Sequence, residues 1–345
     1  MSSSTIRGYA AKAKGQALEK FTYEPPKLKD HEVRVAVTHC GICYSDLQAI
    51  DDDYGITKYP FVPGHEIVGF VSEVGPAVPE LKEGVRVGIG WQARSCGRCE
   101  DCLRGDDHLC KEVEDNGMWT PYGGFASSVA VDERFAFPLP DGMPSEDAAV
   151  LLCAGLSTYS PLRAYRAGPS TKVGVLGVGG LGHLAIQFAH ALGCEVTVFS
   201  SSPDKEEEAR AFGADHFLMV GDVAGLKKLV LSLDLILYTS HGVPDWTRVL
   251  YTLRNNGRLV VIGFPAANVT FDAQELVVHQ YSITGSFLGN RATVREMLSV
   301  AQAKRVKPRV EPMPMAQVNE AIQRLKENKA RYRIVLVNET GDEGT

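Results

Sequence analysis

The chain has 345 residues, a formal net charge of −6, 44% hydrophobic and 23% charged residues. That length exceeds what one hydrophobic core usually serves, so two domains are expected. The acidic balance, without a long basic run, argues against nucleic acid and anionic membrane surfaces as partners, and no apolar run approaches the ~20 residues of a membrane span. Residues 1–8 lack the apolar core of a signal peptide, which points to a reducing, cytoplasmic setting.

The N-terminal part reads as β-rich. Residues 33–37, 68–74 and 127–131 are short β-branched runs, and Gly and Pro punctuate the stretches between them. Residues 79–84 and 138–144 carry turn chemistry. Within this part, Cys96-Gly-Arg-Cys99-Glu-Asp-Cys102 is followed by Cys110. The local sequence is too polar for a strand or a core helix and needs an internal staple. Four thiolates around one zinc form a closed tetrahedral site, structural because no position is open to substrate. In a reducing compartment this spacing favours a metal over disulfides.

The pattern changes after Pro161. Residues 173–177 form a compact apolar strand, and Leu181, Leu184, Phe188 and Leu192 then recur on one helical face. A strand at 195–200 and a helix at 205–212 follow, with further strands expected at 233–238, 259–264 and 282–287. Strands alternating with helices indicate a doubly wound parallel sheet, hence an α/β fold class. Helices are expected at 293–303 and 315–327, a last strand at 334–337 and a disordered tail at 338–345. Periodicity does not decide whether that last strand caps the second sheet or returns to the first domain.

Gly177-Val-Gly179-Gly180-Leu181-Gly182 follows a strand and opens a helix, the context in which G-x-G-x-x-G binds a dinucleotide pyrophosphate. The end of the next strand distinguishes the two nicotinamide cofactors. A carboxylate there bonds the ribose 2′-hydroxyl of NAD. This chain has Ser200, Ser201, Ser202, Pro203, Asp204 and Lys205, whose hydroxyls and ammonium suit the 2′-phosphate of NADP(H).

Cys43, His65 and Cys153 are far apart in the sequence. Two thiolates and an imidazole would leave a zinc position open to substrate. Equally, a histidine beside glycine and a cysteine among apolar neighbours are common structural residues.

These segments occur in the order found in zinc-dependent medium-chain dehydrogenase/reductases, and the resemblance covers nearly the whole chain. Leu151-Leu-Cys153-Ala-Gly155, the Gly177 motif with His183, and Ala330-Arg-Tyr-Arg333 resemble the cinnamyl alcohol dehydrogenase branch. The run from Gly88 to Cys96 through Trp91 is similar to bacterial NADPH-dependent broad-range aldehyde reductases within it.

The resemblance implies a GroES-like catalytic domain at 1–150 and 288–345, and a Rossmann domain at 151–287. Cys43, His65 and Cys153 would hold a catalytic zinc, with Glu66 able to approach it, and Cys96, Cys99, Cys102 and Cys110 a structural one. Ser45 would relay the proton and Asp46 would orient the ligand histidine. Ser157 would contact the nicotinamide where threonine is common. Gln48 stands where the branch usually has a histidine and cannot act as acid or base. Cys40 and Cys194 are small buried residues by this mapping. Tyr54, Trp91, Trp119 and Leu288 would line a pocket for aryl or medium-chain aldehydes, in the cleft between the domains. The strand at 282–287 would sit at the sheet edge and pair in a homodimer.

Other functions fit less well. A zinc deaminase needs His-x-Glu and Pro-Cys-x-x-Cys, whereas His65 and Glu66 are adjacent and Ser95 precedes Cys96. A hydrolase has no use for the dinucleotide turn. A non-enzymatic zinc and nucleotide-binding relative would be expected to lose an open-site ligand. An NAD-dependent alcohol or polyol dehydrogenase is the nearest alternative, and Ser200 and Lys205 argue against it.

Overall fold

The computed structural model describes residues 5–240, 242, 244–263, 268 and 270–338. These form two units, one of Met1–Cys153, Asn290–Ser299 and Pro308–Thr345, the other of Ala154–Gly289 and Val300–Lys307.

In the first unit, strand Glu32–Gly41 is central. Its Val33, Val35 and Val37 alternate inward, as a period of two requires when one face is buried. It pairs antiparallel with Ile67–Val74, with Ser128–Asp132 and with Arg333–Val337. The main sheet runs Val310–Pro314, Arg333–Val337, Glu32–Gly41, Ile67–Val74, Arg86–Ile89 and Ala136–Pro138. The last strand therefore returns to the first unit. Ile334, Val335 and Leu336 are all fully buried, so the strand is apolar on both faces and its pattern fits either sheet. The sequence gives no expectation for Val310–Pro314. Pro312 and Pro314 cannot donate to a ladder, which suits its place at the edge, paired with Arg333–Val337 alone.

The second unit holds a six-stranded sheet in the order His216–Met219, Glu195–Ser200, Lys172–Leu176, Leu233–Tyr238, Leu253–Val261, Ser282–Gly285. Every pairing is parallel. In chain order this is 3-2-1-4-5-6, the doubly wound arrangement of two mononucleotide halves. Strands Glu195–Ser200 and Leu233–Tyr238 lie at the expected residues.

Two strands depart from expectation. His216–Met219 is short and largely half-exposed, too brief to show a period. Leu253–Val261 starts six residues before 259, because Asn255-Asn256-Gly257 reads as a turn; Asn256 adopts φ 63° and the register with Leu233–Tyr238 shifts there. Phe264, the expected end of that strand, lies outside the described residues, as do 339–345 of the expected tail.

Helix Gly182–Ala191 buries Leu184 and Phe188, while Leu181 and Leu192 flank its ends. The helices expected near 205–212, 293–303 and 315–327 are Glu206–Ala211, Arg291–Lys304 and Val318–Lys326. Among the described residues no helix is long and apolar enough to cross a membrane.

Leu336→Ala tests the return of the C-terminal strand. Truncating a fully buried leucine in a central strand should cost about 2–5 kcal/mol, read as a lower urea midpoint with an unchanged m-value.

Candidate active site and metal centres

Helix Tyr44–Ile50 starts immediately after Cys43, its N-cap residue. Asp46, fully buried, reaches back so that its Oδ2 accepts the Cys43 backbone N–H at 2.7 Å. Its Oδ1 accepts the Gly64 N–H at 3.1 Å and lies 3.1 Å from His65 Nδ1. One carboxylate thus ties the helix start to the Gly64–His65 turn. Because a carboxylate accepts, Nδ1 carries the proton and the lone pair sits on Nε2. Cys153 lies in a π-helical turn, Leu151–Gly155, an irregularity frequent at functional sites.

Ligand atoms of Cys43, His65, Glu66 and Cys153 all lie within 4.8 Å of one another. His65 Nε2 and Glu66 Oε2 are buried without a hydrogen-bond partner. Orphaned buried acceptors are costly, and a cation at the cluster would satisfy both. Two sulfurs, an imidazole and a carboxylate suit zinc. The hydrogen bond from Cys153 and the nearby His65 hold the Cys43 thiol well below its usual pKa, while the Cys153 thiol is pushed up. The Ser45 hydroxyl lies 3.6 Å from Cys43 Sγ.

Cys96, Cys99, Cys102 and Cys110 form a second cluster. Sγ separations are 4.0 Å for Cys96 and Cys102 and 3.9 Å for Cys99 and Cys110, twice a disulfide's ~2.05 Å. Backbone N–H groups of Cys96 and Glu112 donate to Cys110 Sγ, and that of Cys99 to Cys96 Sγ. Donors from Arg98 and Cys99 lower the Cys96 thiol to about 6, which favours the thiolate a metal needs. The lobe is anchored by buried Asp107, which pairs with Arg291, while its backbone carbonyl accepts Gln92 Nε2 at 2.7 Å.

In the second unit, Gly177 follows strand Lys172–Leu176 with φ +103°. A Cβ on Gly182 would stand 2.0 Å from the Gly177 carbonyl oxygen, so only glycine lets the helix start this close to the strand end. Gly179 faces open space, and Gly180 and Leu181 complete the turn. Thr239 Oγ1, which the sequence does not single out, donates toward the Leu176 and Gly177 carbonyls and joins neighbouring strand ends.

Ser200 is buried, and its hydroxyl donates to Ser202 O at 3.0 Å and accepts Ser202 N–H at 3.1 Å. It shapes the loop; Ser201 is exposed, and Ser202 and Lys205 are partly so. Ser157 is buried in helix Leu156–Ala164, and Leu288 is buried in a left-handed conformation, φ 46°.

The alcohol dehydrogenase GroES-like domain model matches residues 29–141, and the zinc-binding dehydrogenase model matches 180–303. A probable formaldehyde dehydrogenase of Bacillus subtilis is 41% identical, over 94% of this chain and 95% of its own. An NADP-dependent alcohol dehydrogenase of Mycolicibacterium smegmatis is 38% identical, over 96% of this chain and 98% of its own. A solved cinnamyl alcohol dehydrogenase of Sorghum bicolor superposes with a TM-score of 0.92 at 36% identity, covering 97% of this chain and 98% of its own. The chain belongs to the zinc-dependent medium-chain dehydrogenase/reductases.

This dehydrogenase has a residue beside the Cys43, His65, Glu66 and Cys153 group to which the sequence alone gives no role. Arg333, buried at the start of the last strand, pairs through Nη2 with Glu66 Oε1. The available signal is a charge opening the apolar run Ile334–Val337, since a buried charge needs a partner. Burial pushes the Glu66 carboxyl up to about 7, against the opposing pull of Arg333. The aromatics expected in the dehydrogenase's pocket meet within the first unit: Tyr54 and Trp119 are 6.3 Å apart edge-on, Trp119 and Trp91 6.0 Å. Cys40 and Cys194 are buried, outside both clusters.

Arg333→Met removes one partner of a buried ion pair, so Glu66 must stay charged alone or take up a proton. The variant should lose about 3–5 kcal/mol of stability, seen in chemical denaturation. Arg333→Met with Glu66→Gln should recover part of it.

Proposed function

We propose that this dehydrogenase interconverts aldehydes and alcohols of the aryl and medium-chain aliphatic classes, with NADP(H) as its nicotinamide cofactor and zinc at both clusters. The observation that carries the reading is the buried quartet Cys43, His65, Glu66 and Cys153, with two orphaned acceptors converging on one point. When bound, zinc supplies Lewis acidity to the substrate oxygen and the nicotinamide carries the hydride.

The chain's own residues do the rest. Asp46 fixes the His65 tautomer and the start of the helix that bears Ser45. Ser45, whose hydroxyl lies 3.6 Å from Cys43 Sγ, passes the proton to or from the substrate oxygen. Arg333 opposes the burial that favours the protonated Glu66 carboxyl, drawing it toward the ionised form beside the Cys43 sulfur. Cys96, Cys99, Cys102 and Cys110 staple their lobe through the second zinc.

NADP(H) is favoured because strand Glu195–Ser200 ends without a carboxylate, in a loop presenting Ser201, Ser202 and Lys205. The M. smegmatis relative carries the same cofactor in its name. A homodimer is supported by edge strand Ser282–Gly285 and by exposed Val277 and Val278 before it. A cytoplasmic location is the setting in which thiols clustered as in Cys96–Cys110 favour a metal over disulfides.

The test is NADPH and NADH oxidation in parallel with benzaldehyde, cinnamaldehyde and hexanal, together with zinc content per chain. Faster turnover with NADPH is expected; equal or faster turnover with NADH would remove the cofactor assignment. Cys43→Ala should lose activity and one zinc while keeping the far-UV circular dichroism. Cys99→Ala should instead lower the melting temperature. Lys205→Glu places a carboxylate beside a 2′-phosphate and should raise KM for NADPH about tenfold or more, with KM for NADH unchanged.

A further inference from the structure

Gln48 has a hydrogen bond that gives it work other than proton transfer. Tyr54 Oη donates to its Oε1 at 2.9 Å, and its backbone carbonyl accepts the Asp53 N–H at 2.9 Å. Both groups of one residue thus hold the loop that follows helix Tyr44–Ile50. Asp52 and Thr57 close the same loop, with the Thr57 N–H on Asp52 Oδ1 and the Thr57 hydroxyl on the Ala49 carbonyl.

The opposing loop is fixed as firmly. Buried Asp115 Oδ1 accepts the backbone N–H groups of Met118, Trp119 and Thr120 at 2.8, 2.8 and 3.1 Å. Trp119 is therefore set from its backbone. Its ring stands perpendicular to Tyr54, at 90°, and at 73° to buried Trp91. Tyr54 lies close enough to Cys43 to feel its charge. Burial first, then the Cys43 thiolate, push its hydroxyl up to about 12, so it stays a neutral donor at working pH.

Resting on the aldehyde-reductase reading above, we propose that Gln48 is a positioning residue: by holding the Tyr54 hydroxyl it fixes an edge-on aromatic wall, Tyr54–Trp119–Trp91, that selects aryl over small aliphatic aldehydes. The bond to Gln48 Oε1 fixes the direction in which the half-buried Tyr54 side chain points. A ring edge helps a flat substrate only while it is held in place. Gln48 does not titrate, so this role leaves the proton relay alone.

The experiment compares Gln48→Ala, Tyr54→Phe and their double variant with the parent holoenzyme, using benzaldehyde and propanal. Each single change removes one neutral hydrogen bond and should raise KM for benzaldehyde about fivefold. In Gln48→Ala, propanal KM, kcat and the pH profile of kcat should stay as in the parent. The double variant should be no worse than either single, because both remove the same bond. Gln48→Glu, which keeps an acceptor oxygen at the same reach, should retain the parent's benzaldehyde KM. Acrylamide quenching of tryptophan fluorescence should increase in Gln48→Ala and Tyr54→Phe and not in Gln48→Glu. Multiplying KM effects in the double variant, equal losses for both aldehydes, or a shifted pH profile in Gln48→Ala would each overturn the role. A parent enzyme inactive on every aldehyde would sink the substrate class alone. The quenching series would still judge whether Gln48 holds the wall, and unchanged quenching would reject it.

Discussion

The candidate active site depends on the Asp46 carboxylate. It is fully buried and accepts from two backbone N–H groups and one imidazole nitrogen, belonging to Cys43, Gly64 and His65. Those donors come from segments about twenty residues apart, so this one side chain fixes their separation as well as the histidine tautomer. The part of the cluster built on these two segments takes its place from there. Ser45 and Gln48 ride on the helix that Asp46 caps, and Glu66 follows the histidine that Asp46 orients.

A second buried charge pair closes the cluster from the other side. Arg333 comes from the far end of the chain and meets Glu66 beside two thiols. Such a pair is a poor source of net stability, because desolvation offsets the attraction. Its value is electrostatic: the guanidinium offsets part of the cost of negative charge on the buried carboxyl and the neighbouring sulfur.

Much of this was legible in the residues. The four-cysteine lobe announces itself by spacing, and its sulfurs do converge. The Gly177 turn is readable because strand and helix periods flank it, and the close approach at Gly182 gives the physical reason. The Cys43, His65 and Cys153 grouping came from resemblance, since no local pattern joins residues brought together by tertiary folding. What stayed hidden has a common cause. Arg333 stands just ahead of the strand expected at 334–337, Val310–Pro314 is masked by its prolines, and His216–Met219 is too short for a period. The Ser200 hydroxyl reads as a cofactor donor in sequence, but in the structure it is spent on the turn of its own loop. Side-chain roles that depend on direction are invisible in one dimension.

The first sheet is discontinuous in the chain: the second unit is made between its two parts. On the ribosome, Glu32–Gly41 therefore emerges long before Arg333–Val337, and the ladder positions at His39, Cys40 and Gly41 await partners from 335–337. Glu66 waits over the same interval for its counter-charge. A nascent chain can close the Rossmann sheet through Ser282–Gly285 while its metal pocket still lacks a wall. The half-made enzyme is thus electrostatically incomplete until Arg333 reaches Glu66.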